Sequence, residues 1–142
     1  MPLRRWILVV EPSVLFRGII QEEVSHSKAD SVEIVSVAYA QDLLLALNQH
    51  DLLPELLIVE WYACGDQIRA CLEGLRSLAV LHRIRVVAIA GQSARKALAE
   101  AQALGVRRFV CKLPDEVSFR KKIGEAINEF LPTESKRSAA LT

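Results

Sequence analysis

Several easy assignments are closed off by what this 142-residue chain lacks. Its six glycines, at 18, 65, 74, 91, 105 and 124, stand apart, so there is no Gly-rich loop to cradle a nucleotide's phosphates. Its three cysteines, Cys64, Cys71 and Cys111, are odd in number and form no CxxC pair, which argues against a disulfide framework and for reduced thiols. No basic neighbour in sequence would activate Cys64 as a thiolate. His26, His50 and His82 do not cluster with the cysteines, so no metal-ligand spacing is present. Apolar runs such as residues 6–10 and 56–59 fall far short of the roughly 20 residues of a membrane span. Arg4 and Arg5 precede one such run, but it meets Glu11 and Pro12 too soon for a secretory signal. A cytoplasmic protein with no membrane association is expected.

What is present is a chain of ordinary globular composition, 51% hydrophobic and 25% charged, with its charge unevenly spread. Residues 1–81 carry six Lys/Arg against eleven Asp/Glu, whereas residues 82–122 carry ten against three. The formal net charge of +1 hides this asymmetry.

Apolar runs alternate with amphipathic stretches five times. Strands are predicted at 5–10, 32–37 (nearer an edge, from its alternation), 55–60, 84–90 and 107–111. Helices are predicted from Ser13 to about residue 26, over 41–50, over 66–80 with Asp66 as cap, from Ser93 to a left-handed cap at Gly105, and over 115–130. One domain over 1–130 and a frayed tail over 131–142 follow. Strands separated by helices of this length imply right-handed crossovers and a doubly wound parallel sheet covered on both faces, an α/β three-layer sandwich. Ligands of such sheets sit at the carboxyl ends of the strands. Here Glu11, Ser36, Glu60, Ala90 and Lys112 stand at those ends, two carboxylates and one ammonium on a common rim.

The strand ends also carry a family spacing. ILVVEPSVLFR resembles the first strand and helix start of bacterial response-regulator receiver domains, and PELLIVE resembles the strand that ends in their phosphorylated aspartate. VVAIAG and ALGVRRFVCKLP resemble their fourth and fifth strands, so that the resemblance covers residues 4–130. It implies a five-stranded, five-helix flavodoxin-like, CheY-like fold and a part in two-component signalling. It also implies that the site is degenerate. Where receivers hold magnesium with an acidic pair, this chain has Glu11 and Pro12; the phosphoacceptor position holds Glu60, and the phosphoryl-binding hydroxyl is replaced by Ala90. Lys112 is kept, but Leu113 displaces the following proline to Pro114, which calls the family's cis peptide into question.

Aspartyl phosphorylation needs an in-line carboxylate nucleophile and a metal on the transferring oxygens. Glu11, Glu60 and the Tyr62 carbonyl would supply only part of a magnesium shell, and Glu60 extends its carboxylate by a methylene. The expectation is a pseudo-receiver that is no enzyme and carries no metal or other cofactor. Glu60 reads either as a mimic of the phosphorylated state or as a drifted polar residue, with a Glu60–Lys112 salt bridge expected. Phe109 takes the family's switch-aromatic position, and Trp61 and Tyr62 read as exposed loop aromatics or as a lid on the rim. Arg95, Lys96, Arg107, Arg108, Arg120, Lys121 and Lys122 fall on the fourth helix, fifth strand and fifth helix. In the family these elements form the face for dimers and effectors, so they are expected to bind a signalling protein or a second copy. Two alternatives remain open: a true phosphoacceptor, and a small nucleotide- or nucleic-acid-binding domain. Isolated glycines and the absence of an aromatic platform argue against the last. The tail from Pro132 resembles a linker, so the chain reads equally as a piece of a longer regulator.

Overall fold

The computed structural model describes residues 5–27, 32–63, 66–91 and 95–131. Within them the chain runs β1 (Trp6–Val10), α1 (Val14–His26), β2 (Glu33–Val37), α2 (Gln41–Asn48), β3 (Leu56–Glu60), α3 (Gln67–Ser77), a 3-10 turn (Leu81–Arg83), β4 (Arg85–Ala90), α4 (Arg95–Ala103), β5 (Arg108–Cys111) and α5 (Glu116–Phe130). The five strands form one parallel sheet in the order β2-β1-β3-β4-β5, with β2 at an edge as its alternating pattern predicts.

Strand alternation sorts the core into two layers. Trp6, Leu8, Val10, Leu57, Val59, Val86 and Ala88 point to the α2–α3–α4 side. Ile7, Val9, Leu56, Ile58, Val87, Ile89 and Val110 point to α1 and α5. Central strands buried on both faces read as unbroken apolar runs, which is why β1, β3 and β4 were legible.

Helix ends follow their capping residues. The Ser13 hydroxyl accepts from the Phe16 amide at 3.3 Å, and the Asp115 carboxylate accepts from the Ser118 amide at 2.7 Å, satisfying first-turn donors. Asp66 precedes α3 but makes no capping bond; its carboxylate pairs with Arg69 instead. Gly105 adopts φ +90°, and the Val106 and Gly105 amides bond the Ala101 and Gln102 carbonyls, each at 3.0 Å. This is a Schellman end to α4. The same motif ends α3, with Ala79 at φ 59° and the Val80 and Ala79 amides on the Leu75 and Arg76 carbonyls. The Ser93 start of α4 lies outside the described residues, as do Cys64 and 132–142. Leu131, which sequence placed in the tail, is buried against the α1–α5 layer, so the packed domain reaches at least that residue.

Candidate functional site

The carboxyl ends of β1, β3, β4 and β5 bring Glu11, Glu60, Ala90 and Lys112 to one rim. Glu11 follows β1, and its amide extends the ladder by donating to the Val37 carbonyl at 3.0 Å. Lys112 follows β5, with its amide on the Ala90 carbonyl at 2.7 Å. From opposite sides of the sheet centre the two side chains meet: Lys112 Nζ donates to Glu11 Oε1 at 2.6 Å. The same ammonium lies 4.3 Å from the centroid of the Phe16 ring, a cation–π contact.

The Glu11 side chain is only 1% exposed, and its second oxygen, Oε2, is buried without a hydrogen bond among the described residues. Burial pushes its carboxyl above the ordinary range, against the opposing pull of Lys112 and smaller favourable contributions from Ser13 and Arg17. Arg17 secures the β1–α1 turn by donating to the Glu11 carbonyl at 2.6 Å and the Pro12 carbonyl at 3.1 Å. Pro12 itself is exposed.

Glu60 is not the partner of Lys112. Its Oε2 accepts from the Tyr62 amide at 3.2 Å. Burial again raises its carboxyl; Lys112 acts only through space to lower it, while the Glu11 charge raises it further. The expected Glu60–Lys112 salt bridge is therefore corrected to Glu11–Lys112. The more deeply buried carboxylate, which is the costlier to leave uncompensated, takes the cation.

Two further expectations change. The peptide Leu113–Pro114 is cis, so the displaced proline keeps a cis bond one residue beyond the position expected from the resemblance. Trp61 is buried at 1% exposure and packs edge-on against Phe109, centroids 6.4 Å apart, while Tyr62 is 52% exposed. The Trp61 amide donates to the Ile89 carbonyl at 2.8 Å, prolonging the β3–β4 ladder by one residue. The alternation Leu57, Val59, Trp61 then sends the indole into the core, a signal the sequence carried. Phe109 is half-buried over the same layer, and Ala90 is fully buried. Phe16 had no sequence signal, because its role depends on Lys112, 96 residues later, reaching its ring, and Arg17 acts on the carbonyls of the turn, where sequence marks no partner.

The seven basic residues do not form one free cluster. Arg108 pairs with Glu129 and lies 5.9 Å over the Phe130 ring. Arg120 reaches α1, with Glu22 at 2.6 Å and Glu23 at 3.7 Å, and also binds Glu116 at 2.9 Å. Arg95, Lys96, Lys121 and Lys122 are exposed. Arg107 is exposed too, but lies before β5, at the opposite end of the sheet from Lys112. Cys71 and Cys111 are free thiols, and burial raises that of Cys71. Among the described residues no group of three or more His, Cys, Asp or Glu side chains converges, and no helix is long and apolar enough to cross a membrane.

This sheet order and helix arrangement define the doubly wound fold of response-regulator receiver domains. The response regulator Rcp1 in its Mn(2+)-bound form matches with a TM-score of 0.79 at 20% identity, over 89% of this chain and 94% of its own. The phosphorylated cyanobacterial phytochrome response regulator RcpA also gives 0.79 at 20% identity, over 90% and 94%. The receiver domain of NarL from Mycobacterium tuberculosis gives 0.70 at 21% identity, over 90% and 96%. No protein-family profile matches the sequence, and no curated protein does.

Proposed function

We propose that this protein is a receiver-type signalling adaptor of the cytoplasm, independent of phosphorylation, that acts by binding another protein and needs no metal or cofactor. The observation that carries the reading is the closed Glu11–Lys112 pair beside a buried Ala90 with no hydroxyl to offer. Phosphoryl transfer needs an in-line nucleophile, a metal and free donors for the transferring oxygens. Here the lysine is held by Glu11 and Phe16, and Glu60, the one carboxylate at the acceptor position, is turned back onto the Tyr62 amide.

Magnesium prefers a near-octahedral set of oxygens, and this rim offers two carboxylates, one of them already paired to an ammonium. Rcp1 is described with Mn(2+) and RcpA as phosphorylated; this chain is proposed to differ from both. Incubation with a small phosphodonor and magnesium, followed by intact mass, tests the reading. An unchanged mass is expected, and the addition of one phosphoryl group would establish a phosphoacceptor instead. The exposed Arg95, Lys96, Lys121 and Lys122 favour an acidic partner, speeding encounter at low salt.

A further inference from the structure

From Asp66, on the rim side of the sheet, down to the end opposite the Glu11–Lys112 pair, α3 and α4 do not close on each other. A groove of about 460 Å³ between them is crossed by Arg69, which pairs with Asp66 and Glu100. It continues through Arg76, Ala103 and Leu104 into a lower cavity of about 310 Å³. Buried Leu81, Ile84 and Leu104 line that lower cavity, with exposed Arg76, His82 and Arg107 also on its wall. The Schellman ends of α3 and α4 at Ala79 and Gly105 fix the adjoining backbone. Arg76 donates to the Ala103 carbonyl at 3.3 Å, offsetting the negative end of α4. The Arg107 side chain makes no hydrogen bond or ion pair among the described residues, and no carboxylate lines the cavity.

We propose that this cavity is a docking site for a partner protein's acidic segment, in which one apolar side chain is flanked by carboxylates. An apolar floor beneath unneutralised guanidinium groups matches such a segment at both points. A volume of 310 Å³ is at the bottom of the range for small-molecule pockets, about 300–1,000 Å³. It holds one large side chain of the kind that anchors an interface, not a nucleotide. The site is separate from the exposed basic residues of α4 and α5 named above. It draws its biological sense from the adaptor reading, since such a protein needs a place where its partner binds.

Amide shifts of the full ¹⁵N-labelled chain, titrated with blocked peptides, test the proposal. The probes are Glu-Glu-Leu-Glu-Glu, Glu-Glu-Ala-Glu-Glu and Lys-Lys-Leu-Lys-Lys. The Leu-containing acidic peptide is expected to give saturable shifts at His82, Gly105 and Arg107 in the millimolar range. The Ala version should bind at least fivefold more weakly, and the Lys version should not bind. Arg107→Glu, an exposed change that leaves the core intact, should weaken binding at least tenfold, and Gln21→Glu, on the exposed face of α1, should leave it unchanged. No saturable shift, equal binding by the Lys peptide, or indifference to Arg107→Glu would overturn the site. So would concentration-dependent shifts without peptide that link these amides to Val117, whose neighbours are Asp115 and Glu116; the occupant would then be a second copy. Phosphoryl uptake in the intact-mass experiment would remove the adaptor reading and leave this titration to stand or fall separately.

Discussion

Lys112 and Glu11 are 101 residues apart in sequence and meet at 2.6 Å above the sheet, with 14% and 1% of their side chains exposed. Breaking such a buried pair by removing one partner leaves an uncompensated charge, typically a loss of about 3–5 kcal/mol. Lys112→Met should therefore destabilise the fold by about 3 kcal/mol at neutral pH. Adding Glu11→Gln should recover most of that loss, because the orphaned charge is gone. Urea unfolding of the two variants checks this; a double variant no more stable than Lys112→Met would show that the pair is not the source.

Acidity should leave a signed trace. Glu11 and Glu60 both have carboxyls raised above 4.5, chiefly by burial. The folded chain then holds protons that the unfolded chain has released, so their contribution is fully present below about 4.5. It is lost as pH rises through the raised values. Asp115 runs the other way: its bond from the Ser118 amide lowers its carboxyl below 3.8, and that contribution is lost as pH falls through the lowered value. Unfolding free energies of wild type and Glu11→Gln between about pH 4 and 8 should diverge, with wild type losing ground as pH rises. Parallel curves would contradict the shift at Glu11.

Two Schellman motifs differ in the residue at the left-handed position, and their glycine swaps should have opposite signs. Gly105 stands at φ +90° and Ala79 at φ 59°. A left-handed conformation costs a non-glycine residue about 1–2 kcal/mol, partly offset by the greater chain entropy that glycine loses on folding. Ala79→Gly should stabilise by about 0.5 kcal/mol and Gly105→Ala should destabilise by about 1 kcal/mol. Both are read from urea midpoints at constant slope.

Neighbours in one loop should respond unequally. Trp61 is buried and Tyr62 is 52% exposed. Trp61→Ala opens a cavity and should cost about 3–5 kcal/mol, whereas Tyr62→Ala should stay within about 0.5 kcal/mol. Chemical denaturation of both variants measures the contrast, and similar losses would place both rings in the core.

Much of the fold was written in the chain itself. Unbroken apolar runs at β1, β3 and β4, the alternating edge strand β2, the Ser13 and Asp115 caps and the Gly105 stop are local signals. Each depends on residues a few positions away, so each survives in sequence and sets the order of elements. The set of groups at the rim follows from that order, since every parallel strand delivers its last residue to the same edge of the sheet.

Which of those groups pair was decided only by tertiary structure. Sequence offers Lys112 two carboxylates with nothing to choose between them; burial chooses, because Glu11 loses nearly all its water while Glu60 finds the Tyr62 amide. The positive charge downstream of residue 82 was equally plain in sequence, yet packing divided it. Arg108 and Arg120 are drawn to Glu129 and Glu22, and Arg107 is turned to the far end of the sheet. Charge is fixed by the residues, but its partners are fixed by distances and solvation that exist only once the layers have packed.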